Sequence, residues 1–333
     1  MDYKFIINKM SVGHLESSII EMFRQKLEEN PYLHEISHHF FEMQNQPPVY
    51  SDEFVALEKN IEISQVRIST MTVLCDLGIQ INLESFYNNI KAYHNEEKDY
   101  KIVSLEYMEN PAKGVPKQKK KKQSQANANL VKRRKSFYNQ ATIIMDYIKF
   151  INMKLFRNGS IHITGIIDVE QGKRAVGFLC DEIREIYKID SSITSDDISK
   201  LGLANWDVVM INSDFSCNFK IRREKLYEIL DNNYNLVVNY ESDNYPGVKT
   251  SFYWNERDTD RSGVCKCKIG KTCSGKGRGT LNPDDTCRKI TISIFQSGKI
   301  IITGAREKEQ INDAYLFITN IFRNYFHCIA RLL

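Results

Sequence analysis

Cys265, Cys267, Cys273 and Cys287 follow one another as C-x-C-x5-C-x13-C inside a stretch rich in glycine and lysine. Four thiolates at such spacing suit a tetrahedral zinc ion. A loop with so few apolar side chains needs something else to order it, and metal–sulfur bonds would do so. The spacing is not one of the common finger patterns, so disulfides and free thiols stay open as alternatives. The other four cysteines, Cys75, Cys180, Cys217 and Cys328, are scattered and read as ordinary buried thiols. Two further motifs carry chemistry in principle. His34, Glu35 and His38 spell H-E-x-x-H, yet Pro31 and the Pro47–Pro48 pair confine any helix there to a few turns, and no third ligand stands out. Gly270, Lys271 and Thr272 end like a phosphate loop but lack the glycine five residues earlier. No carboxylate set for catalysis is evident, and a non-enzymatic role is expected.

The chain that must position these groups has 333 residues, enough for two domains with cores of their own. A hydrophobic content of 42% with 11% aromatics excludes a disordered chain. No apolar run approaches a membrane span and the first residues lack signal-peptide architecture, so the cysteines are expected in a reducing compartment. Net charge is only +4, and a basic surface must therefore come from local concentration. Residues 113–135 supply it, with ten Lys or Arg and no acid. Their lack of periodicity predicts a solvated loop, which could serve as an arm tracking phosphates or as a nuclear-import signal.

Two passages repeat one order. IKFINMKLFRNGSIHITG and KITISIFQSGKIIITG each give an alternating strand, a turn around glycine, a second alternating strand and a closing Thr-Gly. Phe156 and Phe295 are 139 positions apart, and Tyr100 and Tyr245 are 145 apart. Around them the unit strand–helix–strand–strand–strand–helix is written twice, too long for a solenoid repeat and suited to two related half-domains. The expected division is an N-terminal extension over 1–60, mostly helical or irregular, a first repeat over 61–190 with the basic insert 113–135, a linker over 191–206, and a second repeat over 207–333 with the Cys-rich insert 255–288. In this alignment both inserts join the same pair of strands.

Alternation sorts the hairpin residues by face. Ile290, Ile292, Ile294, Ile300 and Ile302 share one face with helices to cover, as do Met153, Leu155, Ile161 and Ile163. The other face carries Ser293, Phe295, Ile301 and Thr303 in the second hairpin, and Lys154, Phe156, His162 and Thr164 in the first. An open face with this apolar content is either a protein interface or a ligand surface.

YESDNYPG, IFQSGKIIITGA and MINSDFSCNFKIRREKL resemble, in the same order over about 120 residues, phrases of the TATA-box-binding protein family. RISTMTVLCDL and LFRNGSIHITG in the first half are similar to it as well. The long inserts and the Asn-, Lys- and Ile-rich wording resemble versions encoded by large DNA viruses. The resemblance implies an α+β, two-fold pseudo-symmetric saddle, with ten antiparallel strands, helices on the convex back and DNA under the concave face. It implies a transcription initiation factor that binds and bends AT-rich promoter DNA through the minor groove and recruits a IIB-type factor and RNA polymerase. The place of work would be a nucleus or a cytoplasmic viral factory, with no membrane and no small-molecule substrate.

Carried over onto this sequence, the wedges that open base steps are Phe156, Phe295, Tyr245 and Tyr100. The groove-floor threonines are Thr164 and Thr303, Asn212 takes the central asparagine, and Ser297 and Lys299 follow the glycine turn where phosphate is touched. Val66 stands where the first-half asparagine belongs, with Ile68 on the same face. Lys154 and Ser293 replace apolar residues, His162 replaces a valine, Ile301 stays apolar, and Asp214 would face an anion. Glu241 and Asp243 match acidic positions that bind the IIB-type factor, and the zinc knuckle is expected beside them. Two other readings stay open: a face that has lost DNA affinity and binds transcription proteins only, and a substrate-holding module of a nuclease or glycosylase.

Overall fold

A computed structural model describes residues 60–92, 100–114, 138–241, 245–267, 273–280 and 286–331. Residues 60–333 form one compact unit. The H-E-x-x-H motif, the Gly-Lys-Thr tripeptide, Asp243 and nearly all of the basic insert lie outside the described residues.

The first half comprises β1 (Arg67–Asp76), α1 (Leu83–Asn89), β2 (Lys101–Tyr107), β3 (Lys113–Gly114), β4 (Gln140–Tyr147), β5 (Lys149–Phe156), β6 (Ser160–Ile166) and α2 (Val169–Ile189). The second comprises β7 (Ala204–Ser216), β8 (Lys220–Ile221), α3 (Arg223–Glu228), β9 (Val237–Asn239), β10 (Gly247–Trp254), β11 (Arg288–Phe295), β12 (Lys299–Ala305) and α4 (Lys308–Asn324). Eleven strands make one antiparallel sheet in the order β3-β2-β4-β5-β6-β1-β7-β12-β11-β10-β9. The expected α+β class holds, with eleven strands in place of ten. The added one is β3, whose Lys113 was read as the start of a solvated loop. Its ammonium instead donates to the carbonyls of Tyr87, Asn88 and Ile90, closing the C-terminal end of α1 where a cation is favoured.

The alternating strands bury one face as the sequence dictates. Ile290, Ile292, Ile294, Ile300 and Ile302 are fully buried, as are Met153, Leu155 and Ile163. Burial of each such side chain stabilises by about 1.5–3 kcal/mol relative to exposure. The cover comes from helices with matching stripes. α4 buries Ile311, Ala314, Ile318, Ile321 and Phe322, and α2 buries Ala175, Val176, Leu179, Ile183 and Ile186. Asp168 caps α2 by accepting from the Gln171 amide at 2.7 Å. Among the described residues no helix is long and apolar enough to cross a membrane.

The two halves repeat in detail. Outward from the β1–β7 seam the order is β6, β5, β4, β2 on one side and β12, β11, β10, β9 on the other. The Leu77 amide donates to Gly159 O at 3.0 Å, and the Cys217 amide to Gly298 O at 2.9 Å. The Ile167 amide donates to Gln171 Oε1 at 2.9 Å, and the Arg306 amide to Gln310 Oε1 at 2.8 Å. Gly159 and Gly298, at φ +86° and +78°, explain the repeated glycine turn. A Cβ would lie 2.1 Å from Ile79 O at the first and 2.5 Å from Phe219 O at the second, so no other residue fits without a shift.

This symmetry corrects the placement of the inserts. β4 corresponds to β10, because Gln140 lies opposite Phe156 as Gly247 lies opposite Phe295. The basic insert therefore precedes β4, whereas the Cys-rich insert follows β10. Between β4 and β5 the first half has the single residue Ile148, at φ 55°. Alternation runs unbroken from QATIIMDY into KFINMKLF, and the reversal at Ile148 leaves no Gly or Pro to announce it.

Candidate nucleic-acid interface and thiol cluster

The face of the sheet away from α2 and α4 is built from cross-strand rows, because directly opposed residues point to the same side. One row runs Asn152, Thr164, Thr72, Met210 across β5, β6, β1 and β7. The other runs Thr70, Asn212, Thr303, Thr291 across β1, β7, β12 and β11. Each threonine and asparagine in them is half-buried. The middle of the open face is thus lined by short hydroxyl and amide side chains, which suit hydrogen bonding to base edges.

Val66 and Ile68 do not join these rows. An extra residue in β1 shifts its pairing with β7 between Ile68 and Thr70, so Ile68 lies opposite Ser213. Ser213 is fully buried on the helix side, its hydroxyl donating to Ile302 O at 3.4 Å, and Val66 shares that side by alternation. Thr70 and Thr72 take the places expected of Val66 and Ile68.

Aromatic residues stand at the two far ends. In the second half Tyr245 leans on Phe295, ring centroids 5.6 Å apart and tilted by 56°. Gly247 makes room, since a Cβ there would lie 2.9 Å from the Tyr245 ring and 3.1 Å from the Phe295 ring. Lys249 Nζ sits 3.6 Å from the Tyr245 centroid, a cation–π contact. In the first half Phe156 lines an open cleft of about 490 Å³ with Tyr138, Asn139, Arg157 and Ser160. Tyr100 is elsewhere. It is 8% exposed, stacks on Tyr147 at 4.1 Å and donates its hydroxyl to Gln171 O at 3.2 Å, packed against α2.

Lys154, Lys249, Lys289 and Lys299 put cations on this face. Asp214 lies there as expected but is not a bare anion: Arg67 Nε and Nη2 reach its Oδ2 at 3.1 and 3.0 Å. His162 lies opposite Lys154, and burial together with that ammonium holds its pKa below the ordinary value, so the imidazole is neutral at pH 7. Ile301 sits between Ser293 and Asp214 in the register. Ser293 itself is 6% exposed. Ser297 and Lys299 flank the glycine turn at Gly298, and Lys299 is exposed.

At the other end of β10 the four cysteines of the insert converge. Their sulfurs lie within 4.8 Å of one another, with Cys265 and Cys287 at 3.8 Å and Cys267 and Cys287 at 3.4 Å. Zn–S bonds of about 2.3 Å in a tetrahedron require sulfurs about 3.8 Å apart, so the donor set fits a divalent metal. All eight cysteines are free thiols. Burial pushes the Cys265 thiol up to about 11 and Cys287 higher still. At Cys267 the burial effect is outweighed by hydrogen bonds from the neighbouring cysteines, and the pKa falls. A cation would stabilise all four as thiolates.

Polar stitching substitutes for a core in this insert. Asp313 of α4 accepts from Trp254 Nε1 at 2.7 Å and pairs with Arg261 at 2.8 Å, while Arg261 donates to the carbonyls of Asn255 and Asp258. The Lys289 amide donates to Gly275 O and the Tyr253 amide to Gly263 O, both at 2.8 Å. The knuckle is not beside Glu241. It follows Trp254 at the C-terminal end of β10, whereas Glu241 precedes Gly247 at the other, roughly 24 Å away at about 3.4 Å per residue. Glu241 is exposed, and its carbonyl accepts from the Tyr245 amide at 2.9 Å.

A family model described as transcription factor TFIID, or TATA-binding protein, matches residues 281–325, which hold β11, β12 and α4. The TATA-box-binding protein-like protein of Acanthamoeba polyphaga mimivirus is 29% identical over 299 residues, covering 85% of this chain and 72% of that protein. The chain is thus similar to TATA-box-binding proteins, most directly over β11, β12 and α4. Among solved structures, the Methanococcus jannaschii TBP aligns with 78% of this chain and 99% of its own, at a TM-score of 0.43 and 14% identity.

One further aromatic residue stands on this face, at a position that the sequence resemblance assigns to Tyr100. Tyr138 precedes Gln140 by two residues as Tyr245 precedes Gly247, and it is 68% exposed beside Phe156. The signal is present in the sequence: YNQAT and YPGVK each set a Tyr two residues before the residue that lies opposite Phe156 or Phe295. Tyr100 drew attention instead because it opens a strand.

Proposed function

We propose that this chain is a promoter-binding transcription initiation factor that lays its open sheet face along the minor groove of AT-rich duplex DNA and bends it. The observation that carries this reading is the layout of that face, a band of Thr and Asn side chains at the seam between aromatic residues at both ends. The minor groove offers mostly acceptors, which the band can meet through hydroxyl and amide donors. The aromatics Phe156, Tyr138, Phe295 and Tyr245 would wedge open base steps at a cost of a few kcal/mol each, lowest at flexible TA steps. The Arg67–Asp214 pair removes the anionic centre that would otherwise oppose DNA.

The bent complex would present Glu241 and Asp243 to a IIB-type factor and, through it, to RNA polymerase, in a nucleus or a viral factory. Cys265, Cys267, Cys273 and Cys287 would hold one structural Zn²⁺, which supplies the cross-link that a loop without a core lacks. Energy transfer between the labelled ends of an AT-rich duplex tests the main reading. Binding with a shortened end-to-end distance is expected. Binding of transcription proteins with no measurable duplex affinity even at low salt would replace it with the interaction-only reading. Elemental analysis of chelator-free protein tests the metal, with about one zinc per chain expected.

A further inference from the structure

We propose that the open cleft at the first-half end of the sheet is a slot for a single unpaired nucleobase, supplied by the base step that opens against it. The inference rests on the DNA-binding reading for the source of the base. The slot itself stands on a difference between two corresponding ends of the molecule.

Backbone bonds fix which positions correspond. The Ile81 amide donates to Arg157 O at 2.8 Å, and the Ile221 amide to Gln296 O at 2.9 Å. With Gln140 opposite Phe156 as Gly247 is opposite Phe295, Tyr138 corresponds to Tyr245. In the second half the aromatic pair is closed. Tyr245 lies on Phe295 over the missing Cβ of Gly247, and Lys249 covers its ring. In the first half Gln140 stands in place of that glycine, and its Cβ takes the space in which the tyrosine would pack. Thr142 replaces the covering lysine, and its hydroxyl accepts from Gln140 Nε2 at 3.1 Å. The tyrosine is therefore held off the phenylalanine, and a cleft of about 490 Å³ lined by both residues remains. Pockets for small ligands span roughly 300–1,000 Å³.

The chemistry of the lining changes with its shape. Gln80, Asn139 and Asn158 bring three amides to the cleft, where the second half has Lys220, Pro246 and Ser297. Among the described residues the side chains of Gln80 and Asn139 form no hydrogen bond, and Asn158 uses only its Oδ1, which accepts from the Ser160 amide at 3.2 Å. An amide sets a donor beside an acceptor, as a base edge does, and Asn or Gln can pair with adenine through both. The aromatic walls can stack on the face of any base. A wedge that only pries a step apart would need the rings and no amides. A phosphate site would call for cations, which the second half carries here in Lys220 and Lys299 and the first half replaces with Gln80 and Ser160. Taking a base out of the stack costs least where the stack is already disturbed, which insertion of Phe156 would achieve.

The test uses the full chain and two probes. The first is free deoxyadenosine monophosphate, followed by saturation-transfer NMR, with deoxyribose 5-phosphate as the phosphate-only control. Saturable binding of the nucleotide and not of the control is expected, weakened by about tenfold in Tyr138→Ala through loss of one stacking wall. Tyr138 is exposed, so this variant keeps the fold, which thermal melting checks. Gln140→Gly with Thr142→Lys installs the second-half arrangement and should close the slot, with a similar loss. The second probe is an AT-rich duplex carrying one unpaired adenine at its end step, compared with the fully paired parent by anisotropy. The unpaired form should bind about tenfold tighter, because its base is already free of the stack, and Tyr138→Ala should remove that preference. If no duplex binds, the DNA-binding reading fails, while nucleotide binding that Tyr138→Ala removes still upholds the slot. No saturable nucleotide signal at millimolar concentration overturns the slot, as does one that Tyr138→Ala leaves unaltered. Equal affinity for the two duplexes, with duplex binding intact, overturns an unpaired base as its occupant.

Discussion

The two halves share one scaffold and differ at its ends. In the first, β4 turns into β5 through Ile148 alone, and Tyr138 stands exposed across a cleft from Phe156. In the second, β10 and β11 are separated by a stitched insert, and Tyr245 is already packed on Phe295 beneath Lys249. The difference teaches where this sheet tolerates change. Its buried face is held to isoleucine and methionine by packing, while its strand ends take an insertion or lose one with the pairing register of the hairpins intact. It also separates a prearranged aromatic end from an open one.

The largest effect should come from that contrast. Phe295→Ala removes a wedge and the support under Tyr245, and is expected to abolish most of the bend and weaken duplex affinity by about tenfold or more, since opening a base step is worth a few kcal/mol. Phe156→Ala should do less, because Tyr138 is not packed against it in advance. Equal loss of end-to-end shortening in both variants would erase the distinction.

Next in size is the insert. Cys265→Ser with Cys287→Ser should release the metal and raise amide exchange through 255–288 and along β11, while β4 to β6 stay protected. Hydrogen exchange followed by mass spectrometry reads this, and equal deprotection of both halves would show that the knuckle supports the whole sheet.

A smaller change follows from the ion pair on the open face. Asp214→Asn takes a carboxylate away from the duplex and should raise affinity by roughly threefold to fivefold, an effect of about 1 kcal/mol. Arg67→Gln should lower it by a similar factor by exposing Asp214. Fluorescence anisotropy at one salt concentration distinguishes these outcomes.

The smallest concerns His162. Its folded pKa lies below the ordinary value, so the free protein binds fewer protons there than the unfolded chain and loses stability as pH falls through about 6.5. Duplex phosphates across the face would favour the imidazolium, so affinity should rise as pH falls from about 7.5 to about 6. His162→Gln should flatten that rise.

Much of this was legible because it obeys short-range rules. Gly159 and Gly298 announce the repeated turn, the period-two isoleucines fix the buried face, and four cysteines without a core predict a cluster before any coordinate. Ile68 was misplaced because a bulge inserts a residue without changing composition, and parity counting cannot see it. The two inserts were assigned to one connection because a β-branched residue at positive φ, Ile148, breaks a strand where no sequence signal does. The stitching of the insert by Asp313 could not be read either, since it pairs residues about 50 positions apart in the chain through charge rather than pattern.

The one-residue link at Ile148 has a practical side. It is 82% exposed and occupies the first-half counterpart of the position where nature has placed 33 residues, from Asn255 to Cys287. Such a connection is a ready port for grafting. A second copy of the Cys-rich segment, or a fluorescent or affinity module, spliced at 148 should leave the hairpin register undisturbed.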